Sequence, residues 1–195
     1  MYKNKYIAAI IPARDEALSI AQVVTSLKNL CNESGAHVID KIVVCDNGST
    51  DNTATIAANA GATVVQEATP GYGIACLTAL EEAKTADILL FIDGDNAFRA
   101  KQAIPLIDAV ANDADLAIVS RKLGKVEKNA LTIPQRFGNW LASYLIWLIW
   151  QETVTDLGPF RAITQEALRR LNMEDKRYGW TIEMQIKAIQ HGMAM

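Results

Sequence analysis

Short apolar runs rich in β-branched residues alternate along the chain with longer stretches in which apolar residues recur at helical spacing. The short runs predict β-strands at residues 6–11, 41–45, 63–66, 88–92 and 116–120. The other stretches predict helices at residues 20–30, 51–60, 72–83, 100–110, 134–151, 165–171 and 181–190. Such alternation is typical of βαβ units, and nearly continuous apolar strands predict burial on both faces. The expected fold class is α/β, with a mostly parallel central sheet flanked by helices.

Length and composition predict one globular domain over residues 1–195. Half of the 195 residues are hydrophobic and the formal net charge is −3, which argues against disorder and against a nucleic-acid partner. The three cysteines are odd in number and lack metal-ligand spacing, so we expect neither a disulfide framework nor a zinc site, and a reducing cytoplasm fits best. The amino terminus predicts a first strand rather than a signal peptide. The longest apolar run, residues 140–150, is too short to span a bilayer.

Acidic residues follow three of the predicted strands. The strand ends read PARDE at residues 12–16, DNGSTD at residues 46–51 and DGDN at residues 93–96. Ligands of open parallel sheets bind beyond the carboxyl ends of the strands. The sequence therefore predicts a ligand site at one rim of the sheet, lined by carboxylates.

The DGDN segment is the strongest local signal for chemistry. Asp93 and Asp95 flank Gly94 directly after an apolar strand, so both carboxylates can lean to the same side while the glycine admits a ligand. Oxygen ligands at this spacing suit Mg²⁺ or Mn²⁺, which would hold a diphosphate. The alternative is an ordinary polar turn, because Asp, Gly and Asn are common turn residues.

The other two strand ends also have two interpretations. Asp46 is placed to accept a hydrogen bond from a base N–H, but DNGSTDNT is equally typical of a turn followed by a helix cap. Glu16 is a candidate for a ribose hydroxyl contact, but it would also complement the positive end of the following helix. The functional interpretation gains weight because all three acidic segments occur in order, each at a strand end.

Six segments together resemble a known family. IIPARDEA, IVVCDNGSTDNT, ILLFIDGDN, AIVSRK, TDLGPFRAI and YGWTIEMQIKA are similar to the inverting family 2 glycosyltransferases with the GT-A fold, among them dolichol-phosphate mannose synthases and bacterial polyprenyl-phosphate glycosyltransferases. The resemblance implies transfer of a hexose from a UDP- or GDP-sugar to a polyprenyl phosphate or a related phosphorylated acceptor, with Mg²⁺ or Mn²⁺. It also implies a nucleotide-sugar half at about residues 1–120 and an acceptor half at about residues 121–195.

The resemblance assigns roles to positions of this sequence. The nucleotide-sugar site would contain Pro12, Ala13, Glu16, Asp46, Asp93, Gly94, Arg121 and Arg136. Asp95 would be the direct metal ligand, with Asp93 beside it. Arg121 and Arg136 match positions near phosphates, which guanidinium groups bind bidentately, but both are also explained as solvated arginines.

An inverting displacement calls for a carboxylate across the sugar from the leaving diphosphate. Asp156 and Glu183 are the candidates. Asp156 precedes a Leu-Gly-Pro loop that can bring it over the site, and Arg161 is placed to orient it. Glu183 is also explained as a helix residue paired with Lys187 at i,i+4. We therefore place Asp156 ahead.

Some features depart from the family pattern. Tyr72 follows Pro70 and Gly71 in a region where many relatives carry lysine, and the sequence stops directly after the helix that follows YGW. We therefore expect either a reduced acceptor side or a shortened form. The rival hypotheses are a transferase with a soluble acceptor, a sugar nucleotidyltransferase and an inactive nucleotide-sugar-binding module. The sequence lacks the Gly-rich loop that usually follows the first strand of sugar nucleotidyltransferases. It also has no GxGxxG motif after a predicted strand, which argues against NAD or FAD binding.

The segment 137–150 contains three of the four tryptophans and follows a basic residue. Tryptophan and tyrosine favour the membrane interface, so the segment predicts a peripheral helix at the cytoplasmic face of a membrane. An apolar helix packed on the core or a homodimer contact would show the same pattern. The sequence leaves these interpretations open.

Overall fold

The computed structural model describes residues 1–120, 144, 146–151 and 157–195. Three predicted site residues, Arg121, Arg136 and Asp156, lie outside these residues. Most of the predicted helix 134–151 also lies outside them.

Six strands form one sheet in the order β3-β2-β1-β4-β6-β5. The strands are β1 Ile7–Ala13, β2 Lys41–Asp46, β3 Thr63–Gln66, β4 Ile88–Phe91, β5 Leu116–Ile118 and β6 Arg161–Thr164. β1 pairs in parallel with β2 and β4, and β2 pairs in parallel with β3. β6 runs antiparallel to both β4 and β5. The sheet is therefore mostly parallel, as predicted.

Helices cover both faces of this sheet. They are α1 Ile20–Lys28, α2 Thr53–Ala60, α3 Tyr72–Glu81, α4 Ala103–Ala111, α5 Gln165–Leu171 and α6 Trp180–Gln190, and a 3₁₀ turn at Ala100–Gln102 precedes α4. Side chains from α1, α2 and α4 form one buried cluster with β1 and β4. Those from α3, α5 and α6 form the second cluster on the opposite face. Each cluster removes apolar surface from water, which is the main force that holds the three layers together.

The sequence prediction was wrong at three strands. β6 was not predicted, because it has only four residues and begins with an arginine whose burial the local pattern does not indicate. Burial of every strand on both faces was also predicted, but β3 and β5 lie at the two edges of the sheet. The residues of β3 are partly buried or exposed, and Ala117 and Ile118 of β5 are only partly buried. The predicted helix at residues 100–110 is divided between the 3₁₀ turn and α4.

In the part of the chain that the structure describes, no helix has both the length and the apolar character needed to cross a membrane.

Candidate functional site

The carboxyl ends of three central strands meet at one edge of the sheet. The register pairs Ala13 with Asp46 at the last residues of β1 and β2. β4 lies on the other side of β1 and ends at Phe91, two residues before Asp93. The structure thus brings the three predicted acidic segments to the same rim.

Gly94 lies against the loop that follows β1. A Cβ atom built on Gly94 would be 3.4 Å from Cβ of Ala13, 3.5 Å from Cγ of Glu16 and 3.3 Å from Cδ1 of Ile20. Gly94, Ala13 and Glu16 are therefore direct neighbours, although more than 70 residues separate them in the sequence. A side chain at residue 94 would crowd the loop that follows β1, because a Cβ atom there would already lie 3.3 Å from Ile20.

Asp93 carries an unfavourable negative charge in this structure. Its pKa is raised to about 6, first by burial and then by the nearby charge of Asp95, with a further contribution from Glu16. A hydrogen bond from the Tyr72 hydroxyl to Asp93 Oδ1, 3.1 Å long, and the positive charge of Arg161 act in the opposite direction. Two mutually repelling carboxylates at a rim are the arrangement that a bound divalent cation stabilises.

The residues fit a metal ion whose ligands come partly from the protein and partly from a bound substrate. Asp95 is exposed, and its Oδ1 atom accepts a hydrogen bond of 2.9 Å from the N–H of Ala97. Within the described residues, no group of three or more His, Cys, Asp or Glu side chains is arranged to hold a metal ion. Asp93 and Asp95 would therefore supply only part of a coordination shell, and diphosphate oxygens are suitable ligands for the remainder.

Hydrogen bonds join the loop after β1 to the loop after β2. The N–H of Asp15 donates to Ser49 Oγ at 2.9 Å, and Asp15 Oδ1 accepts from the N–H of Thr50 at 2.7 Å. The N–H of Glu16 donates to Thr53 Oγ1 at 2.8 Å. The Ser, Thr and Asp residues of DNGSTDNT therefore hold the backbone of Glu16 in place, in addition to starting α2.

Asp46 is the last residue of β2 and Asn47 follows it, and both are buried, with exposed fractions of 8% and 7%. Asp46 Oδ1 accepts a hydrogen bond of 3.3 Å from the N–H of Ser49. Asn47 Nδ2 donates to the carbonyl oxygens of Glu67 and Thr69, and its Oδ1 accepts from the N–H of Gly71. Asn47 thereby fixes the segment that leads to α3.

Glu183 lies near the start of α6, where its carboxylate binds backbone N–H groups. Oε1 accepts from Glu174 and Oε2 from Asp175, each at 2.8 Å, and Lys187 Nζ lies 2.7 Å from Oε1. Burial alone would raise the pKa of Glu183, but the hydrogen bonds from Lys187, Asp175 and Glu174 outweigh it, and the pKa is lowered. The structure contains the i,i+4 ion pair that was the alternative interpretation, and a catalytic role stays a prediction.

Arg161 is fully buried at the start of β6. Its guanidinium donates to the carbonyl oxygens of Thr181 at 3.0 Å, Leu157 at 3.4 Å and, more closely, Gly158. Arg161 thus ties the residues after the predicted catalytic Asp156 to the first turn of α6. Because Asp156 lies outside the described residues, the predicted contact between the two stays a prediction.

Sequence reasoning missed Asn47 and the link between Tyr72 and Asp93 as parts of this site. Asn47 belongs to a motif that was noted, but an Asn-Gly pair in a turn indicates nothing about partners 20 residues away. Tyr72 was noted only as a departure from the family pattern. No local signal identifies Asp93 as its partner, since the two residues meet only in the folded sheet.

A cleft of about 530 Å³ opens at the opposite end of the parallel strands, where β1 and β4 begin. Its lining includes Lys5, Lys84, Asp87, Asp115 and Arg169, which carry charges of both signs. Of the predicted site residues that the structure describes, none lines this cleft. The clustering of carboxylates at the carboxyl ends of the parallel strands therefore locates the candidate site at that rim, not in this cleft.

Two known glycosyltransferases are similar in sequence to this chain. The chain is 28% identical over 188 residues to glycosyltransferase AglJ of Haloferax volcanii, which covers 96% of this chain and 59% of that relative. It is 29% identical over 199 residues to the UDP-N-acetylglucosamine–dolichyl-phosphate N-acetylglucosaminyltransferase of Methanococcus voltae, covering 90% of this chain and 76% of that protein. The chain thus spans only about three fifths of the length of the first of these relatives.

A solved structure shares the fold. The glucosyl-3-phosphoglycerate synthase of Mycobacterium tuberculosis, crystallised with Mn²⁺, UDP and phosphoglyceric acid, superposes with a TM-score of 0.76 at 24% identity over 96% of this chain and 65% of that one. The GT-A fold predicted from the sequence is thereby confirmed. The family model described as glycosyl transferase family 2 matches residues 8–171. The chain therefore belongs to glycosyl transferase family 2.

Proposed function

We propose that this chain binds a nucleoside-diphosphate sugar at the rim formed by β1, β2 and β4, and transfers its hexose to a phosphorylated acceptor. The observation that carries the proposal is the convergence of Glu16, Asp46, Asp93 and Asp95 at the carboxyl ends of adjacent parallel strands. Family membership supports the same assignment.

The donor would lie across the interlocked loops. Asp46, buried at the end of β2, is suited to accept a hydrogen bond from the base, and Glu16 to accept one from the ribose. Pro12 and Ala13 are buried at the end of β1 and would form the floor of the nucleoside pocket. UDP is the first nucleotide to test, because the solved relative contains UDP.

Asp93 and Asp95 would hold Mg²⁺ or Mn²⁺ against the diphosphate. A divalent cation at this position offsets the negative charge that develops on the leaving nucleotide. The protein contributes the two carboxylates, and Gly94 between them allows the backbone to pack closely against Glu16.

The transfer itself would be an inverting displacement. With a polyprenyl phosphate as acceptor, an oxygen of its phosphate attacks the anomeric carbon, while the bond from that carbon to the diphosphate oxygen breaks and its electron pair leaves with the nucleotide. An ionised phosphate needs no base, so a carboxylate mainly positions it. We assign this role to Asp156 rather than Glu183, because both oxygens of Glu183 already bind backbone N–H groups. Arg121 and Arg136, which belong to the predicted acceptor half at residues 121–195, would reach across to bind phosphate groups of the nucleotide sugar.

Two acceptor classes have support among the relatives. The Methanococcus relative is named for a dolichyl-phosphate acceptor, whereas the Mycobacterium structure contains phosphoglyceric acid, a soluble acceptor. The lipid-linked class is favoured by exposed apolar side chains in the helical residues 146–150, among them Trp147, Leu148 and Ile149. Aromatic and aliphatic side chains of this kind suit the interface of a membrane.

Thermal unfolding with UDP or GDP, with and without Mn²⁺, tests the donor site. A ligand at about 100 times its dissociation constant adds about 2.7 kcal/mol of stability, which shifts the midpoint by several degrees. We expect one nucleotide to raise the thermal midpoint in a metal-dependent way, and Asp95→Asn to abolish this shift. Asp113→Asn is the control and should retain the shift, because Asp113 is exposed and lines the cleft at the opposite end of the strands. The donor-site proposal fails if neither nucleotide shifts the wild-type protein.

Sugar transfer from the matching nucleotide sugar separates the acceptor classes. A polyprenyl phosphate in detergent and 3-phosphoglycerate are offered in parallel reactions. Product with the first alone supports the lipid-linked acceptor, and product with the second alone supports the soluble one. Donor binding without product on a wider panel of phosphorylated acceptors would favour the nucleotide-sugar-binding module.

A further inference from the structure

We infer that Tyr72 is a positioning residue for the metal-binding carboxylate Asp93, and that the segment 174–177 determines where Tyr72 stands. The inference rests on the proposed donor site. It connects the carboxyl-terminal part of the chain to the diphosphate side of that site through four consecutive contacts, each visible in the structure.

The first contact joins Tyr72 to Asp93. The Tyr72 hydroxyl donates to Asp93 Oδ1 at 3.1 Å, and the tyrosine ring packs against the buried cluster that contains α3 and α6. A donor on one oxygen fixes the rotation of the carboxylate and leaves the other oxygen for a ligand. Because the ring is held by packing, the hydroxyl is a rigid support and not a mobile surface group.

The second contact places the start of α3 directly on the backbone of the segment 174–177. A Cβ atom at Gly73 would lie 2.0 Å from the carbonyl oxygen of Asp175, and one at Gly71 would lie 2.2 Å from that of Lys176. Neither distance is sterically allowed, so glycine on both sides of Tyr72 is required for this approach. The PGYG sequence is thus explained by a close contact with a segment 100 residues away.

The third contact is a pair of backbone hydrogen bonds. The N–H groups of Gly73 and Ile74 donate to the carbonyl oxygens of Arg177 and Lys176, at 2.9 and 3.0 Å. These N–H groups belong to the first turn of α3 and have no acceptor within the helix. The segment 174–177 therefore fixes both the position and the direction of the turn that carries Tyr72.

The fourth contact is made by Glu183. Its two carboxylate oxygens bind the N–H groups of Glu174 and Asp175, so α6 holds the segment from its other side. A displacement of this segment would move the start of α3 and, with it, the hydroxyl that supports Asp93. The acceptor half and the metal side of the donor half are joined at this point.

Tyr72→Phe tests the inference, and Tyr2→Phe is the matched control. The Tyr2 hydroxyl donates to Asp108 Oδ1 at 2.9 Å, so both variants lose one tyrosine–aspartate hydrogen bond from a partly buried site, but Tyr2 precedes β1 and lies away from the rim. The dissociation constant of Mn²⁺ is measured by electron paramagnetic resonance in the presence of UDP or GDP, and thermal midpoints report folding.

We expect Tyr72→Phe to weaken Mn²⁺ binding about tenfold, since a hydrogen bond to a charged group is lost, while Tyr2→Phe leaves it unchanged and both variants lose similar stability. Equal Mn²⁺ affinity in Tyr72→Phe and wild type would overturn the inference and leave the proposed function standing. If wild type binds no Mn²⁺ with either nucleotide, the proposed function fails and the inference fails with it.

Gly73→Ala tests the dependence of Tyr72 on the segment 174–177. The added methyl group displaces the segment, so Mn²⁺ affinity falls although the hydroxyl is still present. In the double variant Tyr72→Phe/Gly73→Ala, we expect affinity no lower than in Gly73→Ala alone, because the support is already lost. Full additivity of the two effects, or unchanged affinity in a folded Gly73→Ala protein, would refute the link.

Discussion

Asn47 offers the most direct test of how the rim is built. Its side chain is 7% exposed and makes three hydrogen bonds to the segment between β3 and α3: to the carbonyl oxygens of Glu67 at 3.0 Å and Thr69 at 2.7 Å, and from the N–H of Gly71 at 2.8 Å. Asn47→Ala removes all three at once. It leaves two carbonyl groups and one N–H group without this partner, next to the buried Asp46.

The magnitude follows from these three bonds. Each contributes about 1 kcal/mol to stability, and unsatisfied buried groups cost more than the bond itself contributes. Water can reach part of the segment, because Glu67 and Thr69 are not fully buried. We therefore expect a loss of about 2–4 kcal/mol, which corresponds to a fall of about 5–12 °C in the thermal midpoint for a chain of this length.

Urea denaturation followed by circular dichroism measures the loss. Asn112→Ala is the control, because Asn112 is exposed and its side chain accepts only a long bond of 3.4 Å from Lys3. The control should change stability by less than about 0.5 kcal/mol. A loss below about 1 kcal/mol in Asn47→Ala would refute the view that this side chain organises the segment leading to Tyr72.

Further predictions concern other contacts of the site. Glu183→Gln should lower the free energy of unfolding by about 1–2 kcal/mol at neutral pH. Because the folded-state pKa of Glu183 is lowered, the stability advantage of wild type is present above the ordinary glutamate pKa of about 4.3 and disappears as the pH falls through the folded-state pKa. Plots of unfolding free energy against pH for the two proteins should therefore converge in acid. Curves that stay parallel at low pH would contradict this. Thr53→Val, which keeps the shape but removes the acceptor for the N–H of Glu16, should cost about 1–2 kcal/mol in urea denaturation and weaken nucleotide binding; unchanged binding would separate this bond from the site. Replacing Trp147 and Leu148 by serine should reduce co-sedimentation with anionic vesicles without lowering the thermal midpoint, whereas equal co-sedimentation would remove the support for a membrane contact.

Glu183 shows which contacts can be predicted from spacing along the sequence and which cannot. The sequence predicts a pair with Lys187 from the i,i+4 relation alone, and that pair is present at 2.7 Å. The backbone N–H groups of Glu174 and Asp175 were not predicted, because they depend on how the loop between α5 and α6 folds back over the helix start. These tertiary hydrogen bonds occupy both carboxylate oxygens of Glu183 and therefore argue against a role for it in positioning the acceptor.

For the acidic segments, a tertiary arrangement was predicted correctly from a general rule about parallel sheets. Asp46, Asp93 and Glu16 were assigned to one rim from the rule that ligands bind at the carboxyl ends of parallel strands, and the register of β1 with β2 and β4 brings their strand ends together. The raised pKa of Asp93 was not predictable in the same way. It depends on burial and on the distances to Asp95, Tyr72 and Arg161, and a sequence contains none of these.

The sequence alone determined the α/β class, the helices and strands with strong periodicity, and the order of the acidic motifs, because period and composition are local properties that a buried strand or an amphipathic helix imposes on consecutive residues. Only the tertiary structure decided the antiparallel insertion of β6, the exposure of the edge strand β3 and the contact between Tyr72 and Asp93. It also decided that glycine must stand at residues 71 and 73. These features depend on residues far apart in sequence, whose approach is fixed by packing of whole elements and leaves no periodic signal in the chain.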